Sequence, residues 1–266
     1  MNWFISLSRR SLLTGLWLTL TCLGLQAGEV RVITSGAFTE SYKKLVPLFE
    51  AATGHRVISQ FGASVGNAPD SIPSRFARGE SFDLVILSEG GLQALMKEGK
   101  LVPGSRVDLA LSQIGAAVRK GTPIPDISTV DKLRQAMLQA KSIAYSASAS
   151  GTYLSTELFA KLGIEDQMKV TARKIFSERV GAVVARGEAE LGFQQVSELI
   201  YFKELDFVGT LPDEVQQRSY FSAALVQGAG EDNAQVARQL VRFFTSAAVA
   251  ETVRATGLEP ATRKQP

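Results

Sequence analysis

The stretch Glu29-Val30-Arg31-Val32-Ile33-Thr34-Ser35-Gly36-Ala37-Phe38 sets a pattern that recurs along the chain. Residues 29–34 alternate between polar and apolar side chains, which predicts a strand, and helical spacing follows from Phe38. The junction between them consists of small or hydroxylic residues, so its backbone N–H groups can approach a ligand closely. Three further junctions share this character: Gly62-Ala63-Ser64-Val65-Gly66-Asn67, Ser146 to Gly151, and Ser177-Glu178-Arg179-Val180. Unpaired N–H groups at helix starts favour anions, which predicts an anion-binding cleft, although ordinary helix caps would give the same pattern.

The first 27 residues have the layout of a secretory signal. Arg9 and Arg10 precede an apolar run from Leu12 to Leu25, and Ala27 ends a small-residue cleavage site. Cys22 is the only cysteine and lies within that run, so the mature chain is expected to carry no thiolate nucleophile and no disulfide. The signal fits the Sec route and, loosely, the twin-arginine route, and the periplasm is the expected location.

The charge of the mature chain does not suit nucleic acid. The formal net charge is +3, and removal of Arg9 and Arg10 leaves +1, with no basic or acidic tail. The remaining 239 residues (266 − 27) suffice for one large domain or two lobes of about 100 residues each. We therefore expect a monomer whose partner is a small anionic ligand and not nucleic acid.

Strands and helices alternate along this mature chain, which predicts an α/β fold. Apart from Asp83, Phe82 to Leu87 is an apolar run, typical of a strand buried in a parallel sheet, and Tyr220 to Val226 is a second strong strand. The helix predicted from Phe38 to Ala52 ends at Gly54, a residue that suits a helix C-cap.

The order of these elements predicts two lobes. The chain is expected to cross between them near residues 109–115 and 218–224. Lobe 1 would contain residues 28–110 and 221–266, and lobe 2 would contain residues 111–220. Ligands of open α/β sheets bind beyond the carboxyl ends of the strands, where the four junctions lie, so the cleft between the lobes is the predicted site.

Five motifs resemble those of the periplasmic molybdate-binding proteins of ABC transporters. They are Thr34-Ser35-Gly36-Ala37-Phe38, Phe61-Gly62-Ala63-Ser64, Phe82-Asp83-Leu84-Val85-Ile86, Ser150-Gly151-Thr152-Tyr153 and Arg186-Gly187-Glu188-Ala189-Glu190-Leu191-Gly192. The resemblance covers nearly the whole mature chain. It implies a two-lobed periplasmic-binding-protein type II fold with two hinge strands, no cofactor and no metal, and an ABC permease as partner if the protein is a receptor.

The resemblance also implies five contacts with an oxyanion. Carried over to this sequence, they fall at Ala37, Ser64, Ser150, Val180 and Gln195. Ala37 has no hydroxyl, although Ser35 is close by, and Gln195 stands where the family has a tyrosine. Each hydrogen bond that a buried anion lacks costs about 1–3 kcal/mol, so these two departures argue against molybdate.

Within this scaffold the chain also resembles a group of exported proteins that includes aconitate isomerase. The shared features are the longer second loop from Val65 to Asp70, the Gln194-Gln195 pair and the stretch from Ile72 to Glu80. This resemblance implies an interconversion of trans- and cis-aconitate in the cleft by an allylic proton shift. The alternative is a receptor that binds a molybdate-like oxyanion or a small organic carboxylate without catalysis.

An allylic proton shift needs a base, an acid and donors that hold the carboxylates of the substrate. The single histidine, His55, reads as a surface turn residue away from the cleft, which excludes Ser–His–Asp, Cys–His and His-based metal sites. Tyr153 and Glu178 are the candidate catalytic residues, with packing and helix-end electrostatics as their plain alternatives. Glu198 is expected to face solvent. The candidate ligand contacts are Ser35, Ala37, Ser64, Ser148, Ser150, Arg179, Val180 and Gln195.

Overall fold

The computed structural model describes residues 27–176 and 178–261, which form two β-sheets. Sheet 1 contains, from edge to edge, β11 (Glu259–Pro260), β4 (Val107–Ser112), β10 (Ser219–Leu225), β3 (Leu84–Ser88), β1 (Glu29–Ser35) and β2 (Arg56–Gly62). Sheet 2 contains β7 (Ala172–Ile175), β6 (Ile143–Ser146), β8 (Leu191–Gln195), β5 (Ile114–Arg119) and β9 (Leu205–Thr210). We call each sheet with its helices a lobe, lobe 1 for sheet 1 and lobe 2 for sheet 2.

Helices cover both sheets. In chain order they are α1 (Thr39–Thr53), α2 (Ile72–Ala77), α3 (Glu89–Lys97), α4 (Val130–Gln139), α5 (Ala149–Tyr153), α6 (Phe159–Lys161), α7 (Glu165–Thr171), α8 (Val180–Ala185), α9 (Val196–Leu199), α10 (Glu231–Phe244) and α11 (Ala250–Arg254). A π-helical turn, Leu154–Leu158, joins α5 to α6. The predicted α/β class is therefore confirmed. No helix in the two described ranges is long and apolar enough to cross a membrane.

Strand direction brings the junctions of both lobes to one place. In lobe 1, β1 pairs in parallel with β2 and β3, so these three strands end at the same edge of sheet 1. In lobe 2, β6 pairs in parallel with β7 and β8, and their carboxyl ends likewise share an edge. Because both edges border the cleft between the lobes, the loops that follow these six strands face one another across it.

The chain passes between the sheets twice at this edge. Only Gln113 separates β4 from β5, and residues 211–218 separate β9 from β10. The side chain of Gln216 links the two crossings, because its Oε1 accepts from the backbone N–H of Ile114 at 2.9 Å and its Nε2 donates to the carbonyl of Ile114, also at 2.9 Å. The two segments that connect the sheets are thus held together.

Each lobe has its own apolar core. In lobe 1, α1 and α10 pack on the sheet, and the rings of Phe38 and Phe244 meet edge to face with centroids 5.6 Å apart. In lobe 2, Leu133, Met137 and Phe193 are fully buried together. Burying each large apolar side chain contributes about 1.5–3 kcal/mol, so each sheet offers a rigid support for the loops at its edge.

The interpretation of His55 as a surface residue is wrong. Its side chain is 7% exposed and stacks on Phe49. Its Nδ1 accepts from the N–H of Gly28 at 2.9 Å, and its Nε2 lies 3.2 Å from Oε1 of Gln239. His55 precedes β2 and therefore lies at the opposite edge of sheet 1 from the cleft. The predicted signal segment, apart from Ala27, lies outside the described residues.

Candidate functional site

A cavity of about 460 Å³ lies between the lobes, and both contribute to its walls. The lobe 1 wall includes Gly36, Thr39, Lys43, Phe61, Gly62 and Ala63. The lobe 2 wall includes Ser146, Ser148, Glu178, Arg179, Gln194 and Glu198. Most of these residues lie at or just beyond the carboxyl ends of parallel strands, as the sequence predicts for a ligand cleft.

Glu198 is the carboxylate most deeply placed in this cleft. It lies on α9, the short helix that begins directly after β8, and it is only 8% exposed, so the prediction that it faces solvent is wrong. Its carboxyl group lies against Gly36 of lobe 1, where a Cβ atom would overlap Oε1 of Glu198. The absence of a side chain at Gly36 is therefore what admits the carboxyl group to the site.

The surroundings of Glu198 bring the pKa of its carboxyl group close to neutral pH. Burial raises the pKa of its carboxyl group to about 7, because the charged form loses its hydration. The positive charge of Arg179 and a hydrogen bond from Gln194 act in the opposite direction, and the negative charge of Glu40 adds to the increase. A carboxyl group with this pKa can both accept and release a proton near neutral pH.

Gln194 connects Glu198 to the start of α8. The backbone N–H of Val180 donates to Oε1 of Gln194 at 2.9 Å. The Nε2 of Gln194 in turn donates to Oε1 of Glu198 at 2.8 Å. The N–H of Val180, which the sequence proposes as a ligand donor, is thus occupied by a protein side chain.

Arg179 bridges the two lobes. Its guanidinium donates to Oε1 of Glu40, at the start of α1, at 2.9 Å. Lys43 lies 3.5 Å from the same carboxylate oxygen. Burial would raise the pKa of Glu40, but the hydrogen bond and charge of Arg179, together with Lys43, outweigh it and lower that pKa. Glu40 therefore stays ionised, and two cationic groups converge beside the cleft.

The hydroxylic residues fall into two groups. Ser64 and Ser150 are buried and already bonded, since Ser64 Oγ accepts from the N–H of Ser88 at 2.9 Å and Ser150 Oγ lies 3.0 Å from Ser146 Oγ. Ser148 lines the cleft directly. Ser35 Oγ, in contrast, is buried and has no hydrogen-bond partner within residues 27–176 and 178–261.

Gln195 and Ala37 lie beside the cleft rather than on its wall. The Oε1 of Gln195 accepts from Ser112 Oγ at 2.7 Å, where the chain first crosses between the sheets, and its Nε2 is buried without a partner in the described part of the chain. Ala37 is buried in the core of lobe 1. Of the predicted contacts, Ser148 and Arg179 line the cleft. Ser64, Ser150, Val180 and Gln195 are bonded to other groups of the protein instead.

The two predicted catalytic residues lie further from the centre of the site. Tyr153 is not part of the cleft wall: its hydroxyl donates to the carbonyl of Val215 at 2.7 Å, which is the packing role. Glu178 lies at the mouth of the cleft and is exposed. Both of its carboxylate oxygens accept from Arg186 at 2.9 Å, and this pairing lowers the pKa of Glu178. Ser177, beside it, lies outside the described residues.

The sequence interpretation leaves Gln194, Glu40 and Lys43 out of the candidate site and sets Glu198 aside as a residue that faces solvent. A signal for Glu198 was present in the run Gln194-Gln195-Val196-Ser197-Glu198, which is a fifth strand-to-helix junction of the same kind as the other four. Applying the strand-end rule to β8 as it was applied to β1, β2 and β6 would have placed this carboxylate near the cleft.

The sequence is similar to several known proteins. The family model for bacterial extracellular solute-binding proteins matches residues 30–259. The chain belongs to this family. An aconitate isomerase from Pseudomonas sp. is 41% identical over 229 residues, covering 86% of this chain and 87% of that protein. Molybdate-binding protein ModA from Azotobacter vinelandii is 28% identical over 261 residues, covering 95% of this chain and 98% of that protein.

Solved structures agree with the fold. The Azotobacter vinelandii periplasmic molybdate-binding protein superposes with a TM-score of 0.68 at 20% identity, covering 88% of this chain and 100% of that one. The sulfate-binding protein SubI from Mycobacterium tuberculosis gives a TM-score of 0.69 at 19% identity, covering 88% of both chains. The predicted periplasmic-binding-protein fold and the resemblance on which it rests are confirmed.

Proposed function

We propose that this protein interconverts trans- and cis-aconitate by an allylic proton shift in the cleft, with Glu198 as the group that moves the proton. The observation that carries the proposal is the buried Glu198 carboxyl group, whose pKa is raised to about 7 beside a cavity large enough for a tricarboxylate. The 41% identical relative named aconitate isomerase supports the choice of substrate. Glu198 thereby replaces Tyr153 and Glu178 as the candidate acid and base.

The reaction needs only one proton carrier. The Glu198 carboxylate removes a proton from the methylene carbon of aconitate, and the electron pair of the broken C–H bond spreads over the allylic carbons and the attached carboxylates. The Glu198 carboxyl group then returns the proton to the former vinylic carbon, so one C–H bond breaks, one forms and the double bond moves by one position. Because the carbon skeleton is that of a propene-1,2,3-tricarboxylate, the product is again aconitate. The conformation held in the cleft decides whether it is cis or trans.

The cations beside the cleft supply the second requirement. Charge develops on the substrate carboxylates as the proton leaves, and a fixed guanidinium or ammonium stabilises that charge better than water does. Arg179 and Lys43 lie on the cleft wall. Ser148 adds a hydroxyl, and Arg179 can hold a carboxylate through two parallel hydrogen bonds. No step requires Tyr153 or Glu178.

The second candidate is a receptor that captures a small organic carboxylate or an oxyanion for an ABC permease. It is favoured by the family to which the chain belongs. In that role Glu198, once protonated, would only donate a hydrogen bond to the ligand. The bond between Val180 N–H and Gln194 removes one donor from an oxyanion ring and weighs against molybdate. Under either candidate we infer a periplasmic monomer without cofactor.

Incubation of the mature protein, residues 28–266, with trans-aconitate tests the proposal, with cis-aconitate followed by chromatography. The variant Glu198→Gln keeps the shape of the side chain but cannot take up a proton, so turnover should fall by about 10²- to 10⁴-fold while aconitate still binds. Glu204→Gln, an exposed carboxylate in lobe 2, serves as the matched control. Wild-type protein that binds aconitate without forming product would exclude the isomerase and leave the receptor. Full activity in Glu198→Gln would remove Glu198 from the mechanism.

A further inference from the structure

We infer that Gln194 is a positioning residue, which fixes one carboxylate oxygen of Glu198 so that the other is presented to the substrate. The inference rests on the proposed function, because it concerns the same proton transfer. Gln194 is 4% exposed and lies at the end of β8, four residues before Glu198. Its amide is bonded at both ends within the protein.

The orientation of the Gln194 amide follows from its partners. The backbone N–H of Val180 can only donate, so the group 2.9 Å from it must be the amide oxygen of Gln194. The NH₂ group therefore points the other way, toward Glu198, at 2.8 Å. A side-chain amide whose oxygen is held in this manner cannot turn round and present an acceptor to the carboxyl group.

This bond distinguishes the two oxygens of Glu198. Oε1 accepts from Gln194 and is packed against Gly36 of lobe 1. Oε2 has no hydrogen bond to protein in the described ranges that could compete for its lone pairs. A proton that arrives on Glu198 consequently belongs on Oε2, because a proton on Oε1 would face the NH₂ group of Gln194, which is itself a donor.

Charged side chains influence the protonation of Glu198, but the residue that orients its carboxyl group is Gln194. From α8 and the loop before it comes Arg179, whose positive charge favours the ionised carboxylate. From α1 comes Glu40, whose negative charge opposes it, and Arg179 is already paired with Glu40. The hydrogen bond from Gln194 is thus the only one from a side chain that Glu198 receives among the described residues. Its loss should make the carboxylate both less ordered and more basic.

Two substitutions at Gln194 distinguish a positioning role of its side chain from a packing role. Gln194→Met preserves the volume and removes both hydrogen bonds. Gln194→Glu, when protonated, can still accept from Val180 N–H and donate to Glu198, so it is the conservative variant. It places a second carboxyl group beside Glu198, and the pair then shares one proton over a narrow pH range.

The experiment measures kcat and KM for aconitate across pH 5–9. For Gln194→Met we expect kcat at pH 6.5 to fall about tenfold to a hundredfold, since a hydrogen bond to a charged group is lost. The rising limb of the pH profile of kcat for this variant should move to higher pH, and its KM should change less than threefold. For Gln194→Glu we expect partial recovery of kcat within a narrower, bell-shaped profile. The control is Gln239→Met, which removes an amide bonded to His55 far from the cleft and should change neither constant.

The outcomes separate this inference from the proposed function. If wild-type protein shows no turnover, the proposed function fails before any variant is compared. If wild-type turnover depends on Glu198 but Gln194→Met keeps the wild-type kcat and pH profile, the inference about Gln194 is overturned. An equal loss in Gln194→Met and Gln194→Glu, with KM raised and the pH profile unmoved, would also overturn it, because that pattern indicates packing or direct substrate contact.

Discussion

The burial of Glu198 should be measurable in the stability of the protein, independently of any ligand. The pKa of Glu198 is about 7 in the folded chain, against 4.5 for an unperturbed glutamate, and one pKa unit corresponds to about 1.4 kcal/mol. Between pH 4.5 and 7 the folded state keeps a proton that the unfolded state has released. The free energy of unfolding therefore decreases as the pH rises through this range, by about 3 kcal/mol in total. The stabilisation is fully present below pH 4.5 and is lost above pH 7.

The variant Glu198→Gln isolates this contribution, because glutamine does not titrate and the other ionisable groups remain. We expect the variant to gain stability relative to wild type as the pH rises from 4.5 to 8, by about 3 kcal/mol over the range. Urea denaturation followed by circular dichroism at half-unit pH steps measures the difference. Fluorescence is less suitable because the only two tryptophans, Trp3 and Trp17, lie in the predicted signal.

The matched control is again Glu204→Gln, a substitution at an exposed surface position that should change the free energy of unfolding by no more than about 0.5 kcal/mol. A difference between Glu198→Gln and wild type that does not vary with pH would refute the reasoning. It would mean that Glu198 is hydrated in solution and has an ordinary pKa. A difference of the opposite sign would mean that Arg179 dominates over burial.

Two further predictions concern the contacts between the lobes. Gly36→Ala introduces a Cβ that overlaps the Glu198 carboxyl group, so we expect kcat to fall at least about tenfold and the unfolding free energy to fall by about 1–3 kcal/mol; kinetics and urea denaturation together test this, and unchanged kcat would show that the carboxyl group has room to move. Arg179→Lys keeps the positive charge but loses the guanidinium hydrogen bond to Glu40, so we expect KM for aconitate to rise about tenfold with kcat changed less than threefold; an equal loss of kcat would show that the guanidinium itself, and not only its charge, stabilises the charge that develops as the proton leaves.

Much of the fold could be predicted from sequence because its signals are local. The helix predicted from Phe38 to Ala52 is observed at Thr39–Thr53, and Gly54 takes the left-handed conformation, φ 73°, expected at its end. Among the strands that the sequence does not predict, two depend on their neighbours for recognition. β7 is a half-exposed edge strand of four residues, and β11 has only two residues and is defined by its pairing with β4. Neither carries enough alternating pattern of its own to be recognised.

The site was harder to predict because its chemistry depends on contacts between distant segments. Tyr153 and Glu178 lie next to predicted junctions. The hydroxyl of Tyr153 is bonded to the carbonyl of Val215, however, and the carboxylate of Glu178 is paired with Arg186. For Glu198 the error runs the other way. The sequence of its four-residue helix does not indicate that the carboxyl group is buried, because the burial results from the contact with Gly36 of lobe 1.

The same contact suggests why such a scaffold can acquire catalysis. A carboxylate held at the lobe interface would change its hydration if the lobes moved apart, because desolvation is the main cause of its raised pKa. Opening the cleft around a ligand would hydrate Glu198 and lower that pKa, whereas closing it would restore a base near neutral pH. In a receptor, closure serves only to hold the solute. Here closure around a substrate with an acidic methylene group would also set the pKa of the group that removes its proton, so binding and catalysis would depend on one movement.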